Sequence, residues 1–373
     1  MRNWNLQLVE QAFAEAATNF DAWGNALGIL AEQTGSHGAL LFNAAGKPFP
    51  SLPMSDRMGE PSENYFRDGW HLRDERFRGL PAMMRNGIFD DFDIMDSDAI
   101  NRHPYYQEFL AKNGLSGFVG IKMAAGEEVW CVSLQRAKSG EQFSREEKQE
   151  LASLSNSLSS AAAVSRALGY AASDAALEAF EIAGTAVLLV NERGEVIRAN
   201  GAAERILNNG SGVRIVRKQL VAADSDSTAA LDRALHRLLW VRTGAVLAPP
   251  VPLVRDGASP LLAYPLKLAN LTANPFAEGR AMIVLIDPDR RDRPPEEALR
   301  NIFKLTFAEA RLAARLASGA ELNDVSDELG IAKETGRHHL KSIFAKTGAR
   351  RQAELVMLFA GMLSRTSDNR SPR

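Results

Sequence analysis

The last 70 or so residues encode short helices separated by glycines, and few packing arrangements suit such a pattern. Thr306 precedes an apolar helical repeat and Glu309 follows three residues later, which is the spacing of a capping box. Gly319, Gly330 and Gly348 stand where successive helices would end, because glycine readily adopts the left-handed backbone that closes a helix. Helices this short are stabilised mainly by packing on each other, so the pattern predicts a compact four-helix domain.

The third of these helices, predicted from Lys333 to about Thr347, has one apolar and one basic face. The face opposite the apolar one carries Arg337, His338 and Lys341. These side chains can hydrogen-bond to base edges and phosphates when a helix lies in the major groove. Residues 333–351 hold six basic residues and one acidic residue, although the whole chain has a net charge of -2. A local basic patch of this kind is typical of a DNA-binding surface. The residues predicted to pack inward are Gly336, Leu340, Ile343, Phe344 and Thr347.

The motifs of this region together resemble the LuxR-type helix-turn-helix domain, with matching spacing throughout. They are Leu305-Thr306-x-x-Glu309, Gly319, Val325-x-x-x-Leu329-Gly330-Ile331, Thr335-x-x-x-His339-Leu340 and Ile343-Phe344-x-Lys346-x-Gly348. The resemblance implies that 333–346 is the recognition helix, that its basic face contacts bases, and that a last helix, 352–363, contributes to dimerisation. The complete predicted DNA-binding set is Lys333, Thr335, Arg337, His338, Lys341, Lys346, Arg350 and Arg351.

Two residues depart from that family's pattern. Ala332 stands where a serine or threonine usually caps the recognition helix, at an expected cost of about 1 kcal/mol. Gly336 replaces a β-branched residue, and glycine inside a helix costs up to about 1 kcal/mol. Both predict a recognition helix that depends on packing or on DNA. The alternative to DNA binding is a small helical bundle used for protein contacts.

Upstream of this domain, the patterns predict an α+β multidomain chain with two α/β sensor-like domains. The segments are a GAF-like or autoinducer-binding-like sensor at 1–169, a PAS-like domain at 175–289, a Pro-rich charged linker at 290–300, the helix-turn-helix domain at 301–365 and a disordered tail at 366–373. The PAS resemblance depends on a buried strand, 186–190, a turn at 191–194, a second strand, and a helix capped by Asn200 in N-x-A-A-E-x-x-L. Weaker strands are expected near 246–247, 261–264 and 281–286.

In the first domain, Tyr65, Trp70 and Asp74 could line a small-molecule pocket, with aromatic walls and one acceptor that orients an amide. This resembles the acyl-homoserine-lactone site, but Glu75 stands where that family has proline. The alternative is that the three residues have ordinary core and surface positions. Strands at 39–42, 117–123 and 129–134 are expected in the same domain.

A helix predicted from Ser144 has apolar or small residues at alternating three- and four-residue spacing. This seam either pairs two subunits in parallel or packs within its own domain, and the sequence leaves both open. Its members are Leu151, Leu154, Leu158, Ala161, Ser165 and Leu168. The acidic run Asp90, Asp91, Asp93, Asp96 and Asp98 does not follow a buried strand as a phospho-acceptor would, and is expected to be a solvated loop.

Catalytic and cofactor signatures are not found in the sequence. The chain lacks a phosphate-binding glycine loop, a G-x-S-x-G elbow and a His/Cys set at metal-ligand spacing, so neither an enzyme nor a cofactor is expected. His236 could be a haem ligand, but a surface histidine is the expected interpretation. The lone Cys131 excludes an internal disulfide. With neither a signal peptide nor a membrane span recognised, the expected location is the cytoplasm.

These patterns predict a sequence-specific transcriptional regulator that binds double-stranded operator DNA as a homodimer. An unknown small-molecule or protein signal would act on its N-terminal domains, and an activator would also contact RNA polymerase. The alternative is a sensor or scaffold that acts mainly through protein partners and binds DNA weakly.

Overall fold

The computed structural model describes residues 4–44, 52–208, 212–240, 248–267, 273–289 and 296–363. These residues combine helices with three antiparallel sheets, and they build three apolar cores in succession along the chain. The α+β class is therefore as expected, because every strand pair between the described strands is antiparallel.

The first unit is built on a four-stranded sheet in the order β1-β4-β3-β2. Its strands are β1 (Gly38–Asn43), β2 (Ile88–Asp90), β3 (Leu115–Ala125) and β4 (Glu128–Ala137). Its helices are α1 (Leu6–Ala16), α2 (Trp23–Gln33), α3 (Gly59–Arg67), α4 (Leu80–Asn86), α5 (Ser97–Arg102), α6 (Arg145–Ser153) and α7 (Ser155–Ile182). Between α5 and β3 lies one π-helical segment, Tyr105–Leu110.

Alternation along the strands gives this sheet two different faces. Ala39 and Leu41 of β1 point into the main core with α1, α2 and α7. Leu40 and Phe42, one residue away, point to the other face, where they line a cavity with Gln135 of β4. The period of two therefore separates a helix-packed face from a face that holds a site.

The helix predicted from Ser144 is two helices, α6 and α7, and Ser144 forms a capping box with Glu147. The predicted seam lies inside the subunit, since five of its six members are buried and only Leu168 is exposed. The structure thus favours packing within the domain over a paired seam between subunits. The buried members are Leu151, Leu154, Leu158, Ala161 and Ser165.

The second unit has a five-stranded sheet in the order β6-β5-β11-β10-β9 and a separate β7-β8 hairpin. Helices α8 and α9 cover one face, and Leu177 from the last third of α7 packs on the other. The elements are β5 (Ala186–Val190), β6 (Val196–Ala199), α8 (Gly201–Asn208), β7 (Arg214–Val216), β8 (Gln219–Val221), α9 (Ser225–Trp240), β9 (Val251–Arg255), β10 (Ala258–Leu266) and β11 (Ala281–Ile286). The strand expected near 246–247 falls largely outside the described residues.

A segment before β11 joins the second unit to the core of the first. Phe276 is 3% exposed and makes edge contacts with Trp23 and Trp130, at ring-centroid distances of 5.0 and 4.9 Å. The Asn274 amide donates to the Ser165 carbonyl of α7 at 2.7 Å, and the Ser165 hydroxyl lies 3.0 Å from Asn274 Oδ1. The first two units are therefore connected by buried contacts as well as by the continuous helix α7.

The third unit is a bundle of five helices around Leu299, Leu312, Ile343 and Phe359. They are α10 (Glu296–Phe303), α11 (Phe307–Ala317), α12 (Leu322–Leu329), α13 (Lys333–Thr347) and α14 (Gln352–Leu363). The last two ranges agree with the sequence-based expectation.

Two predicted boundaries need correction. Residues 296–300 were assigned to the linker, but they begin α10, whose Leu299 is fully buried in the bundle. Residues 170–174, between the predicted sensor and PAS-like segments, lie inside the continuous helix α7. Of the remaining linker and tail, 290–295 and 366–373 are outside the described residues.

Candidate functional site

The basic surface of the third unit is displayed by α13. Gly336 and Ile343 on its inner side are buried, whereas Lys333, Arg337 and Lys341 are exposed. The helical period of 3.6 residues produces this division, because residues three or four apart share a face. The other predicted DNA-binding residues, Thr335, His338, Lys346, Arg350 and Arg351, are exposed as well.

Two of these basic residues already have acidic partners. Arg337 pairs with Glu334 at 2.6 Å, and both side chains are mostly exposed, so this surface ion pair contributes little and can exchange partners. Lys346 donates to Glu309 at 2.6 Å, and the Glu309 side chain is only 7% exposed. Lys346 therefore stabilises the bundle, and its charge is only partly available to a phosphate.

Glu309 connects the start of α11 to α13. Its carboxylate accepts hydrogen bonds from the Thr306 backbone N–H at 2.7 Å, the Ser342 hydroxyl at 2.6 Å and Lys346 Nζ. Burial by itself would raise the pKa of Glu309, but the bonds from Lys346, Ser342 and Thr306 outweigh it and lower the pKa from 4.5 to about 2. The predicted capping box is thus also the anchor that holds α13 against the start of α11.

The two departures from the family pattern have different structural outcomes. Ala332 has extended N-cap geometry and provides no side-chain hydrogen bond, as expected. Gly336 is not simply a weak point of the helix, because a Cβ there would overlap the Ser326 hydroxyl oxygen of α12. The glycine lets α12 and α13 approach closely, so its helix-propensity cost accompanies a packing requirement that the sequence did not reveal.

The second candidate site is a cavity of about 80 Å³ on the free face of the first sheet. This is several times the roughly 10–15 Å³ that one water needs, so a small organic molecule fits. Tyr65 and Asp74 line the cavity. Trp70 does not; it is buried behind the wall, packed against Tyr105 and Phe109. Two of the three predicted ligand residues therefore meet, and the third supports them.

Asp74 is the acceptor at the polar end of this cavity. Its Oδ2 accepts the hydroxyls of Tyr65 at 3.0 Å and Tyr105 at 2.9 Å, and its Oδ1 accepts the Arg76 backbone N–H at 2.9 Å. Burial raises the pKa of Asp74 and exceeds the opposite effect of Arg76 and these hydrogen bonds. Burial likewise raises the pKa values of Tyr65 and Tyr105, so both phenols are neutral donors.

Arg76 lies beside this acceptor with its charge already paired. Asp91 holds the guanidinium in a two-point ion pair at 2.9 and 3.2 Å, and Gln135 accepts from Arg76 Nη1 at 3.1 Å. Both ionic side chains are 6% exposed. The Tyr106 hydroxyl donates to Asp91 at 2.8 Å, so the pair has the additional hydrogen bonds that a buried ion pair requires.

This network corrects the interpretation of the acidic run as a solvated loop for its first two members, whereas Asp93, Asp96 and Asp98 are exposed as expected. Asp90 and Asp91 are each 4% exposed, and Asp90 pairs with Lys148 at 2.6 Å. Asp96 caps α5 through the Ala99 N–H. The charge pattern suggested solvation because the partners, Arg76 and Lys148, are distant in sequence.

Sequence reasoning did not identify Arg76, Asp91, Tyr105 or Gln135 as site residues. One available signal was tyrosine distribution: of five tyrosines in the chain, three are Tyr65, Tyr105 and Tyr106, and all three join this network.

His236, the possible haem ligand, is exposed on the surface of α9. His236 stacks on Trp240 at 5.3 Å on α9. Within the described residues, no group of His, Cys, Asp and Glu could hold a metal ion. No helix in that part of the chain is long and apolar enough to cross a membrane.

Comparisons with known proteins give only distant structural matches. No protein-family model and no curated protein matches the chain. The VqsR LBD domain from Pseudomonas aeruginosa is 19% identical, covers 43% of this chain and 95% of its own, and has a TM-score of 0.33. The Vibrio cholerae VqmA dimer, described as a LuxR-type receptor, is 14% identical; the match covers 48% of this chain and 82% of that chain, with a TM-score of 0.18. The Escherichia coli DhaR(N)-DhaL complex is 10% identical; the match covers 76% of this chain and 87% of that chain, with a TM-score of 0.22. Likeness at this level does not establish a family.

Proposed function

We propose that this protein is a sequence-specific DNA-binding transcriptional regulator of the LuxR type, and that a small ligand in the N-terminal cavity controls it. The observation that carries the DNA-binding proposal is the division of α13 into a buried side and an exposed basic side. Lys333, Arg337 and Lys341 are available to a major groove, while Gly336 and Ile343 hold the helix on the bundle.

The exposed pair between Arg337 and Glu334 is compatible with this role. Glu334 would lie near phosphates in a complex and repel them, and its hold on Arg337 has to be released before that side chain reaches a base edge. We therefore expect Glu334→Gln to strengthen DNA binding a few-fold. We also expect the DNA affinity of the wild-type protein to fall steeply as the salt concentration rises, because of its phosphate contacts.

The control proposal depends on the cavity and on the connections that lead from it. The cavity lies on one face of the first sheet, and α7 covers the other face and continues onto the second unit. We propose that ligand binding alters the spacing of two DNA-binding units in a homodimer, and so their fit to adjacent half-sites.

Alanine variants of the basic face test the DNA-binding proposal. Arg337→Ala and Lys341→Ala should each weaken binding to a mapped operator by about 1–3 kcal/mol, roughly 5- to 150-fold. Arg300→Ala removes the same charge from an exposed position on α10 and serves as the matched control. Genome-wide mapping of bound sites identifies the operator sequence. Analytical sedimentation measures whether the protein is a dimer in solution.

Equal binding by all three variants would refute the role of α13. If the wild-type protein binds none of the mapped DNA above its non-specific level, the alternative of a scaffold acting through protein partners is favoured instead.

A further inference from the structure

The ionisable groups around the N-terminal cavity do not pair one to one. Among the described residues that line it, Asp74 and Arg76 are the ionisable acid and base. Arg76 is bound at two points by Asp91, which is not part of the lining. The buried set therefore holds one cation and two carboxyl groups, and Asp74 is the carboxyl group outside the ion pair.

Asp74 is arranged as an acceptor. Three donors point at its two oxygens, the Tyr65 and Tyr105 hydroxyls and the Arg76 N–H, at 2.9–3.0 Å. Hydrogen bonds of this kind stabilise a carboxylate in its charged form, but none of these donors carries a charge. A buried carboxylate of this kind is costly unless a cation approaches it.

The Arg76 guanidinium does not fill that place. Its Nε and Nη2 donate to Asp91, its Nη1 donates to Gln135, and the group lies 4.3 Å above the centre of the Phe118 ring. These contacts hold the guanidinium toward Asp91, so an anionic ligand would meet a cation that is already neutralised.

The remaining walls are aromatic. Phe42 and Phe77 meet edge to face at 5.8 Å, and Tyr65 and Tyr105 each pack on Phe109 at 5.5 Å. Ring faces attract ammonium groups through their quadrupole, and the attraction is stronger in a desolvated site. A carboxylate inside an aromatic box is an arrangement that recognises amines.

We infer that the cavity binds a small organic cation, a protonated amine with a compact apolar body, with its ammonium group between Asp74 and the aromatic walls. This inference rests on the proposed ligand-controlled function and names the class of ligand. The volume of about 80 Å³ limits the ligand to a small molecule. A neutral amide could use the same acceptor, but it would leave Asp74 outside any ion pair.

Three probes with one carbon skeleton separate the possibilities. Isopropylammonium, 2-propanol and 2-methylpropanoate, which suit the volume of the cavity, would be titrated calorimetrically into the full-length protein at pH 7. We expect the cation to bind at least about tenfold more tightly than the alcohol, and the carboxylate to bind most weakly. N-isopropylacetamide tests the neutral amide.

Variants assign the preference to the cavity. Asp74→Asn should remove most of the difference between cation and alcohol, whereas Glu75→Gln, a neighbouring carboxyl that does not line the cavity, should keep it. Phe77→Leu keeps apolar volume and removes a ring face, so it should weaken the cation few-fold and leave the alcohol unchanged. Because Phe77→Leu leaves the buried polar network intact, it tests the inference even if Asp74→Asn fails to fold.

Equal or absent binding of the probes, or tighter binding of the amide than of the cation, would overturn the inference. The DNA-binding experiments above are independent of it. A cation preference in a protein that binds no operator would support this inference and refute the proposed function. Operator binding without a cation preference would support the proposed DNA-binding function and refute the inference about the ligand.

Discussion

Phe276→Ala is expected to weaken the connection between the first two units. The side chain comes from the second unit but is 3% exposed within the core of the first, between Trp23 and Trp130. Truncating a buried phenylalanine to alanine costs about 3–5 kcal/mol, through lost transfer free energy and the cavity that remains. Two edge contacts contribute about 0.5–1.5 kcal/mol each to this loss.

The neighbouring contacts keep the cavity from collapsing easily. Asn274 is fully buried and bonded to Ser165, and Arg280 donates to the Asn274 and Pro275 carbonyls at 2.6 Å, so the backbone of the segment stays in place. We therefore expect a free-energy loss of at least about 3 kcal/mol. With a urea slope of about 2–3 kcal/mol per M, the unfolding midpoint falls by roughly 1–1.5 M.

Tryptophan fluorescence measures this change directly, because Phe276 touches two of the five tryptophans. Phe92→Ala is the matched control, since Phe92 is 48% exposed on the first unit and its loss should cost no more than about 0.5 kcal/mol. Phe276→Leu should fall between the two. If Phe276→Ala is no less stable than Phe92→Ala, the segment does not connect the units as described.

Three further predictions concern the helical bundle of the third unit. The pKa of Glu309 is about 2 in the folded protein and 4.5 when unperturbed, so its ionised form stabilises the fold by about 3 kcal/mol. This stabilisation is present above pH 4.5 and is lost as the pH falls toward 2. Acid unfolding followed by circular dichroism should show the loss, and the stability of Glu309→Gln should depend less on pH in that range. Gly336→Ala should lower the melting temperature, although alanine is the better helix former, because the added Cβ would overlap the Ser326 hydroxyl. Adding Ser326→Ala to the same chain should restore the melting temperature. A Gly336→Ala protein that melts higher than wild type would show that the close approach of the two helices does not matter. Ala332→Ser should raise the free energy of unfolding by about 1 kcal/mol in urea titrations, since its backbone already has N-cap geometry, and an unchanged midpoint would contradict this.

Local signals in the sequence were enough to predict most of the third unit. Helix ends are set by residues close in sequence: Thr306 with Glu309, and Gly330 and Gly348, whose φ angles of 66° and 78° close their helices. The basic face of α13 was also predictable, because a 3.6-residue period determines which side chains share a side. The predicted ranges of α13 and α14 agree with the structure for this reason.

Only the tertiary structure decided how distant residues meet. Arg76 and Asp91 are 15 residues apart, and Arg76 and Gln135 are 59 apart, so no short pattern predicts that they form one buried network. From the sequence, the apolar seam of α6 and α7 could pack either on a second subunit or within its own domain. In the structure five of its six residues are buried within the subunit. Even in the well-predicted bundle, the reason for Gly336 lies on another helix, at Ser326. The sequence thus determined the elements and their faces, since these depend on near neighbours, whereas the cavity and its charge balance depend on which faces come into contact.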